Sequence, residues 1–98
     1  MFLKRKIENF QQEIIELFYE SWERFKAYTE YYPHQDYTQW VIQFFYEGLR
    51  PQTQNLVDIM SDYNLFTLIS HNDAWLLIDQ LAEKNYNKLE EDRVTKSN

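Results

Sequence analysis

A chain of 98 residues and 12.2 kDa scales to about 6,000 Å² of folded surface out of about 18,000 Å² extended, enough burial for one core and not two. Cysteine is absent, which excludes disulfides, thiolate metal sites and cysteine nucleophiles; one glycine and two prolines exclude a glycine-rich phosphate loop and most turn-dense β architectures. A net charge of −6 argues against a free-standing nucleic-acid binder, no run of about 18 apolar residues exists to span a membrane, and 18% aromatics speak for a packed core.

Residues 1–6 hold a Lys4-Arg5-Lys6 cluster with no apolar stretch behind it, so they do not form a signal peptide. With the lack of cysteine, this sets the expectation of an intracellular, cytoplasmic protein. From Ile14, apolar residues recur at Leu17, Phe18, Trp22, Phe25 and Tyr28 or Thr29 with the period of a helix, whose polar side would carry Glu16, Glu20 and Glu23. Pro33 ends it, because the ring disfavours helical geometry at Tyr32. Asp36 suits the N-cap of a second helix that closes at Gly48, a natural left-handed C-terminal residue.

Pro51 suits the first position of a short third helix with Leu56, Ile59, Met60 and Tyr63 inward. After a connector over 64–69, Ser70 and Asp73 resemble a capping box. It would open a last helix with Ala74, Trp75, Ile78, Leu81 and Ala82 on its inner face. The expected fold is all-α, a small bundle of about four helices over residues 1–88. Residues 89–98, with one aliphatic side chain after Glu90, should fray.

The second helix carries more apolar surface than the others. At about 100° per residue, Tyr37, Trp40, Val41, Ile42, Phe44, Phe45 and Leu49 cover an arc of about 200°, against the about 100° stripe that a surface helix needs. Either this helix is central and buried on most sides, or part of the arc meets another chain. On the second reading Trp40, Phe44, Phe45 and Leu49 form an assembly surface.

Chemistry-bearing patterns are sparse. His34 and His71 have no partner at zinc spacing on a helix face. Ser21, Ser61, Ser70 and Ser97 lie in no nucleophile elbow, a motif that needs flanking glycines. Glu20 and Arg24 form an i,i+4 pair worth a few tenths of a kcal/mol. No catalytic residue, cofactor or metal site is expected, and the chain does not read as an enzyme. Lys4-Arg5-Lys6 and the stackable Tyr31 and Tyr32 are the footholds for nucleic acid, and three charges on an acidic chain give weak, salt-sensitive attraction.

The order of residues is nevertheless distinctive. Phe10-Gln11-Gln12, then Glu16-Leu17-Phe18-Tyr19-Glu20-Ser21-Trp22-Glu23-Arg24-Phe25-Lys26, then Pro33-His34 and Trp40, then Phe44-Phe45-Tyr46-Glu47-Gly48-Leu49-Arg50-Pro51-Gln52-Thr53 resembles the retrotransposon gag domain, and within it the gag polyproteins of plant gypsy-class LTR retrotransposons. Asn72-Asp73-Ala74-Trp75-Leu76-Leu77-Ile78 is similar to a later segment of that family. The resemblance runs from about Arg5 to Asn87. It implies a lobe of retroviral or retrotransposon capsid type.

The first block also resembles the major homology region of retroviral capsid C-terminal domains: Gln12, then Glu16 four on, Phe18 six on, Arg24 twelve on and Phe25 thirteen on. The resemblance implies a hydrogen-bond network of Gln12, Glu16 and Arg24 tying a turn to the following helix, over a core of Phe18, Trp22 and Phe25. Negative charge near a helix N-terminus and a guanidinium with carboxylate or carbonyl partners make such a network physically sensible. The alternative for these three is an exposed polar helix face. Two positions depart from the pattern. Glu13 stands where the retroviral pattern has Gly, so a turn needing positive φ there would be strained, and Tyr32 stands where the gag family often has Cys.

Gag polyproteins usually carry a cysteine-histidine zinc knuckle that binds RNA, and a chain without cysteine has none. Direct nucleic-acid binding is therefore not expected, and no Asp-Thr/Ser-Gly protease motif is present. The chain reads as an isolated capsid-like piece, a structural protein that self-associates into at least weak dimers with other gag chains as partners. The alternative is a relic or domesticated gag domain serving as a helical interaction adaptor without assembly.

Overall fold

The computed structural model describes the backbone of residues 2–31, 40–62, 65 and 70–96, and the side chains of these except 2, 3, 40, 71, 95 and 96. Pro33, His34, Asp36, Tyr37, Tyr63 and most of the 64–69 connector lie outside the described residues, as do Tyr32 and the side chains of Trp40 and His71. The fold is all-α. Five helices are seen: α1 (Phe2–Glu8), α2 (Phe18–Thr29), α3 (Trp40–Glu47), α4 (Pro51–Met60) and α5 (His71–Lys96), with no strand among the described residues.

The core is aromatic and centred on α2 and α3. Trp22, Phe25 and Phe45 have no exposed surface. Trp22 meets Phe45 and Trp75 edge-on at centroid distances of 4.9 and 4.7 Å and stacks on Phe25 at 6.0 Å. Phe45 also touches Phe10, Phe18 and Phe25. Edge-to-face and tilted pairs of this kind stabilise by about 0.5–1.5 kcal/mol each beyond their area burial. Ile7 of α1, Val41, Ile42 and Leu49 around α3, Val57 of α4 and Ala74, Ile78, Leu81 and Ala82 of α5 close the cluster. Helix α2 packs on α1 and α5, and α3 packs on the same two.

Five expectations change. Helix α1 has no counterpart in the expected elements, and the described residues hold five helices where about four are expected. Helix α2 begins at Phe18, not near Ile14: Ile14 and Ile15 are 83% and 89% exposed in a turn. Leu17 is the extended N-cap residue, and its N–H donates to Glu20 Oε1 at 2.8 Å. Gly48 does follow α3, but its φ is not positive. Its glycine is needed for space, since a Cβ there would lie 1.9 Å from the Phe10 carbonyl oxygen. On α4 the buried residue is Val57, while Leu56 and Ile59 face solvent and Met60 is half-buried.

The fifth change is the length of α5. Its last buried residue is Ala82, yet helix continues through the expected tail to Lys96. Propagation of a nucleated helix adds one hydrogen bond for each residue fixed, and the pairs Lys88–Asp92 and Arg93–Glu90 sit at favourable helical spacings. At 26 residues, or about 39 Å at 1.5 Å per residue, α5 gives the molecule its 48 Å long axis. Its start agrees with expectation in part: Asp73 N–H points at Ser70 Oγ, at 3.4 Å. Pro51 takes the first position of α4, with Arg50 extended before it.

Candidate functional site

The segment between α1 and α2 contains no regular structure of its own and is held by side chains. Gln12 is only 8% exposed. Its Nε2 donates to the Glu16 carbonyl at 2.7 Å, its Oε1 accepts the Arg50 N–H at 2.9 Å, and its own N–H donates to the Gly48 carbonyl at 2.8 Å. One amide side chain therefore braces the turn internally and fastens it to the α3–α4 junction. Arg50 adds its guanidinium to the Ile14 carbonyl.

Arg24, one turn and a half into α2, completes the other side. Its Nε and Nη2 donate to the two oxygens of Glu16 at 2.8 and 2.9 Å, and Nη2 also donates to the Gln11 carbonyl at 2.7 Å. Nη1 donates to the Tyr28 hydroxyl at 3.1 Å, and the guanidinium lies over the Phe10 ring at 4.4 Å. A bidentate pair of this geometry is the strong form of the arginine–carboxylate contact. The Arg24 hydrogen bond, opposed by burial and helped by the Glu13 N–H, holds the Glu16 carboxyl below its ordinary value. The same pair pushes the Arg24 guanidinium up.

The structure thus brings Gln12, Glu16 and Arg24 together. Glu16 lies outside the helix on which its spacing had placed it, and Arg24 pairs with Glu16 rather than Glu20, which caps the helix. Glu13 carries no positive φ; among the described non-glycine residues only Asp62 does. The turn therefore forms without the glycine of the retroviral pattern. Phe18, Trp22 and Phe25 are all core. Gly48 and Arg50 complete the network but were not read as part of it. The single glycine beside a helix-starting Pro51 was the available signal.

The proposed assembly surface needs correction. Phe45 is fully buried and Leu49 is 4% exposed, both inside this chain's own core. Phe44 is half-buried and packed against that core. A second chain cannot reach Phe45 or Leu49, so the excess apolar arc of α3 mainly serves its own fold. The side chain of Trp40 lies outside the described residues.

A second polar cluster ties α2 to α5. Asp79 accepts from Trp22 Nε1 at 2.7 Å and from Lys26 Nζ at 3.1 Å. Burial pushes its carboxyl up, but these two donors prevail and hold it below the ordinary value. Burial likewise pushes Lys26 down, and Glu23 and Asp79 outweigh it. Asn85 Oδ1 accepts the Tyr19 N–H at 3.3 Å, satisfying a first-turn donor of α2. Above these bonds runs a cleft of about 450 Å³ lined by Tyr19, Glu23, Asp79, Glu83 and Tyr86. A second cleft of about 450 Å³, between α1 and α2, is lined by Arg5, Lys6, Phe10, Arg24 and Tyr28.

Glu16 and Arg24, and Asp79 and Lys26, are displaced by the partners they have in the fold. No group of three or more His, Asp or Glu suited to a metal occurs among the described residues, and no described helix is long and apolar enough to cross a membrane. Compared with known proteins, the chain matches no family model, no curated protein and no solved structure.

Proposed function

We propose that the chain is a structural, capsid-like module of retrotransposon gag type, which acts by associating with copies of itself rather than by catalysis. The observation that carries this reading is the set of bonds around Gln12. Two segments by which the sequence resembles the gag family, the Gln12-to-Phe25 block and the Gly48-Leu49-Arg50-Pro51 block, are joined by them. They make a hydrogen-bonded corner between the α1–α2 turn and the α3–α4 junction. A shell subunit needs such a corner because it must present the same surface to every neighbour.

Sedimentation velocity of the whole chain, from about 10 μM to about 1 mM (the range in which weak self-association appears), tests the proposal. Average mass should rise with concentration. A chain that stays monomeric throughout would refute self-association and leave the adaptor reading of the same fold. Neighbouring protease or reverse-transcriptase reading frames would give independent support.

A further inference from the structure

The two clefts lie on opposite sides of α2. At about 100° per residue, Tyr19, Glu23 and Lys26 share one side of the helix, while Arg24 and Tyr28 stand about 140–180° around from Tyr19. Their chemistries are complementary. In the α2–α5 cleft, the carboxylates of Glu23, Asp79 and Glu83 outnumber the single Lys26 ammonium. Tyr19 and Tyr86 form an edge-on pair at 5.0 Å along it, an aromatic surface suited to a cation. Glu83 is exposed and has no ion-pair or hydrogen-bond partner among the described residues.

Across the helix, Lys4, Arg5 and Lys6 project from α1 with Ile7 turned inward. The Lys6 ammonium lies over the Tyr28 ring at 5.1 Å. The side chains of Lys4 and Arg5 are exposed and unpaired among the described residues. A short basic helix on one face and an acidic, aromatic cleft on the other are a matched pair that one chain cannot bring together, because α2 stands between them.

We propose that the basic face of α1 in one copy docks into the α2–α5 cleft of the next, with Arg5 and Lys4 against Glu83, Glu23 and the Tyr19–Tyr86 pair. This rests on the self-association proposed above and names its contact. Such a contact is head-to-tail: a two-fold pair cannot use both faces at once when they lie on opposite sides. Repetition gives a ring or an open chain rather than a closed dimer.

The test is sedimentation velocity on the whole chain and two double variants, Lys4→Ala/Arg5→Ala and Glu83→Ala/Tyr86→Ala, with circular dichroism to check that each is folded. Each variant alone should associate at least about 10-fold more weakly than the unmodified chain. Mixed in equal amounts, they should recover the contact, since one supplies an intact α1 and the other an intact cleft. The mixture should then stop at a 1:1 pair with no further growth. Raising salt from about 50 mM to about 500 mM should weaken association of the unmodified chain several-fold. Association of both variants equal to that of the unmodified chain would overturn this contact and leave self-association standing through another face. An unmodified chain that stays monomeric to about 1 mM at low salt would overturn both, and would leave the cleft to a basic segment of another protein.

Discussion

Removing the Arg24 guanidinium should expose how much the α1–α2 corner depends on it. Arg24→Met keeps most of the alkyl stem and deletes the guanidinium that lies over Phe10, with its donors to Glu16, to the Gln11 carbonyl and to the Tyr28 hydroxyl. The Glu16 and Arg24 side chains are 11% and 27% exposed. That places the pair between an exposed ion pair, worth about 0–1 kcal/mol, and a buried one, whose breakage costs about 3–5 kcal/mol. The expected loss is therefore about 2–3 kcal/mol, out of the about 5–15 kcal/mol typical of a whole domain. At about 4–8 °C per kcal/mol for a chain of this size, the melting temperature should fall by about 10–20 °C. Urea unfolding followed by tryptophan fluorescence and far-ultraviolet circular dichroism measures the loss.

The same variant should change the acid limb. The folded chain holds Glu16 below its ordinary value of 4.5, so the unfolded chain takes up that proton first. Stability from this group is present above about 4.5 and is lost as pH falls through the folded-state value. Asp79 contributes in the same direction, so the difference between the two acid-unfolding curves isolates Glu16. A loss under about 0.5 kcal/mol, within the range of an ordinary surface substitution, would refute the account of the corner, as would an unchanged acid limb.

Gly48→Ala should cost about 2–3 kcal/mol, because the new Cβ meets backbone of Phe10 that no side-chain rotation can move; an unchanged urea midpoint would contradict the close approach. Gln12→Ala should cost about 2 kcal/mol, since it strands the Glu16 carbonyl and the Arg50 N–H, measured by the same unfolding curves. Tyr46, whose hydroxyl donates to Asp58 at 2.8 Å, has its phenol pushed up to about 12 by burial and that carboxylate. Ultraviolet titration should show a late tyrosine component that is reduced in Tyr46→Phe; Tyr19 is also shifted upward, by burial and the nearby Glu20, and should persist in that variant. Ile14→Ser with Ile15→Ser should leave stability within about 0.5 kcal/mol, because both side chains are exposed; a large loss would mean that the turn buries them.

The polar corner was partly legible. Gln12, Glu16 and Arg24 lie close in sequence, and their order alone suggests a shared network. Their partners Gly48 and Arg50 sit 36 to 38 positions beyond Gln12, with Arg50 and Gln12 separated by 38, and no local pattern links them. Periodicity also drew Ile14 and Glu16 into α2, because it counts apolar spacing and does not register that the Gln12 amide and the Arg24 guanidinium can hold a turn in place of helical bonds. Asp79 and Asn85 carry no local signal either: a polar residue on a helix is ordinarily solvated, and only the packing of α5 on α2 turns Asp79 toward Trp22.

The error at α3 follows from the omission of α1. A helical arc shows how much apolar surface must be covered and nothing about what covers it. Residues 2–8 offer too few turns for a periodic signal and carry three consecutive cations, so they read as a charged end. Once they fold as α1, Ile7 and Phe10 reach the core, and Phe10 comes within 5.5 Å of Phe45. Part of the apolar arc of α3 is thus covered by α1 and the turn after it, and Phe45 is covered further by Phe18, Trp22 and Phe25 of α2. The Lys4-Arg5-Lys6 cluster changes meaning with it. On a charged end those cations would sit on loose backbone; on a helix whose Ile7 is buried their backbone is placed and their side chains are exposed. Backbone already placed in a helix distinguishes a docking surface from a solvated tail, since less ordering entropy remains to be lost on contact. The covering of α3 and the exposure of a basic face on α1 are therefore two sides of one packing event, and any association of this chain is better sought around α2 than on the aromatic arc of α3.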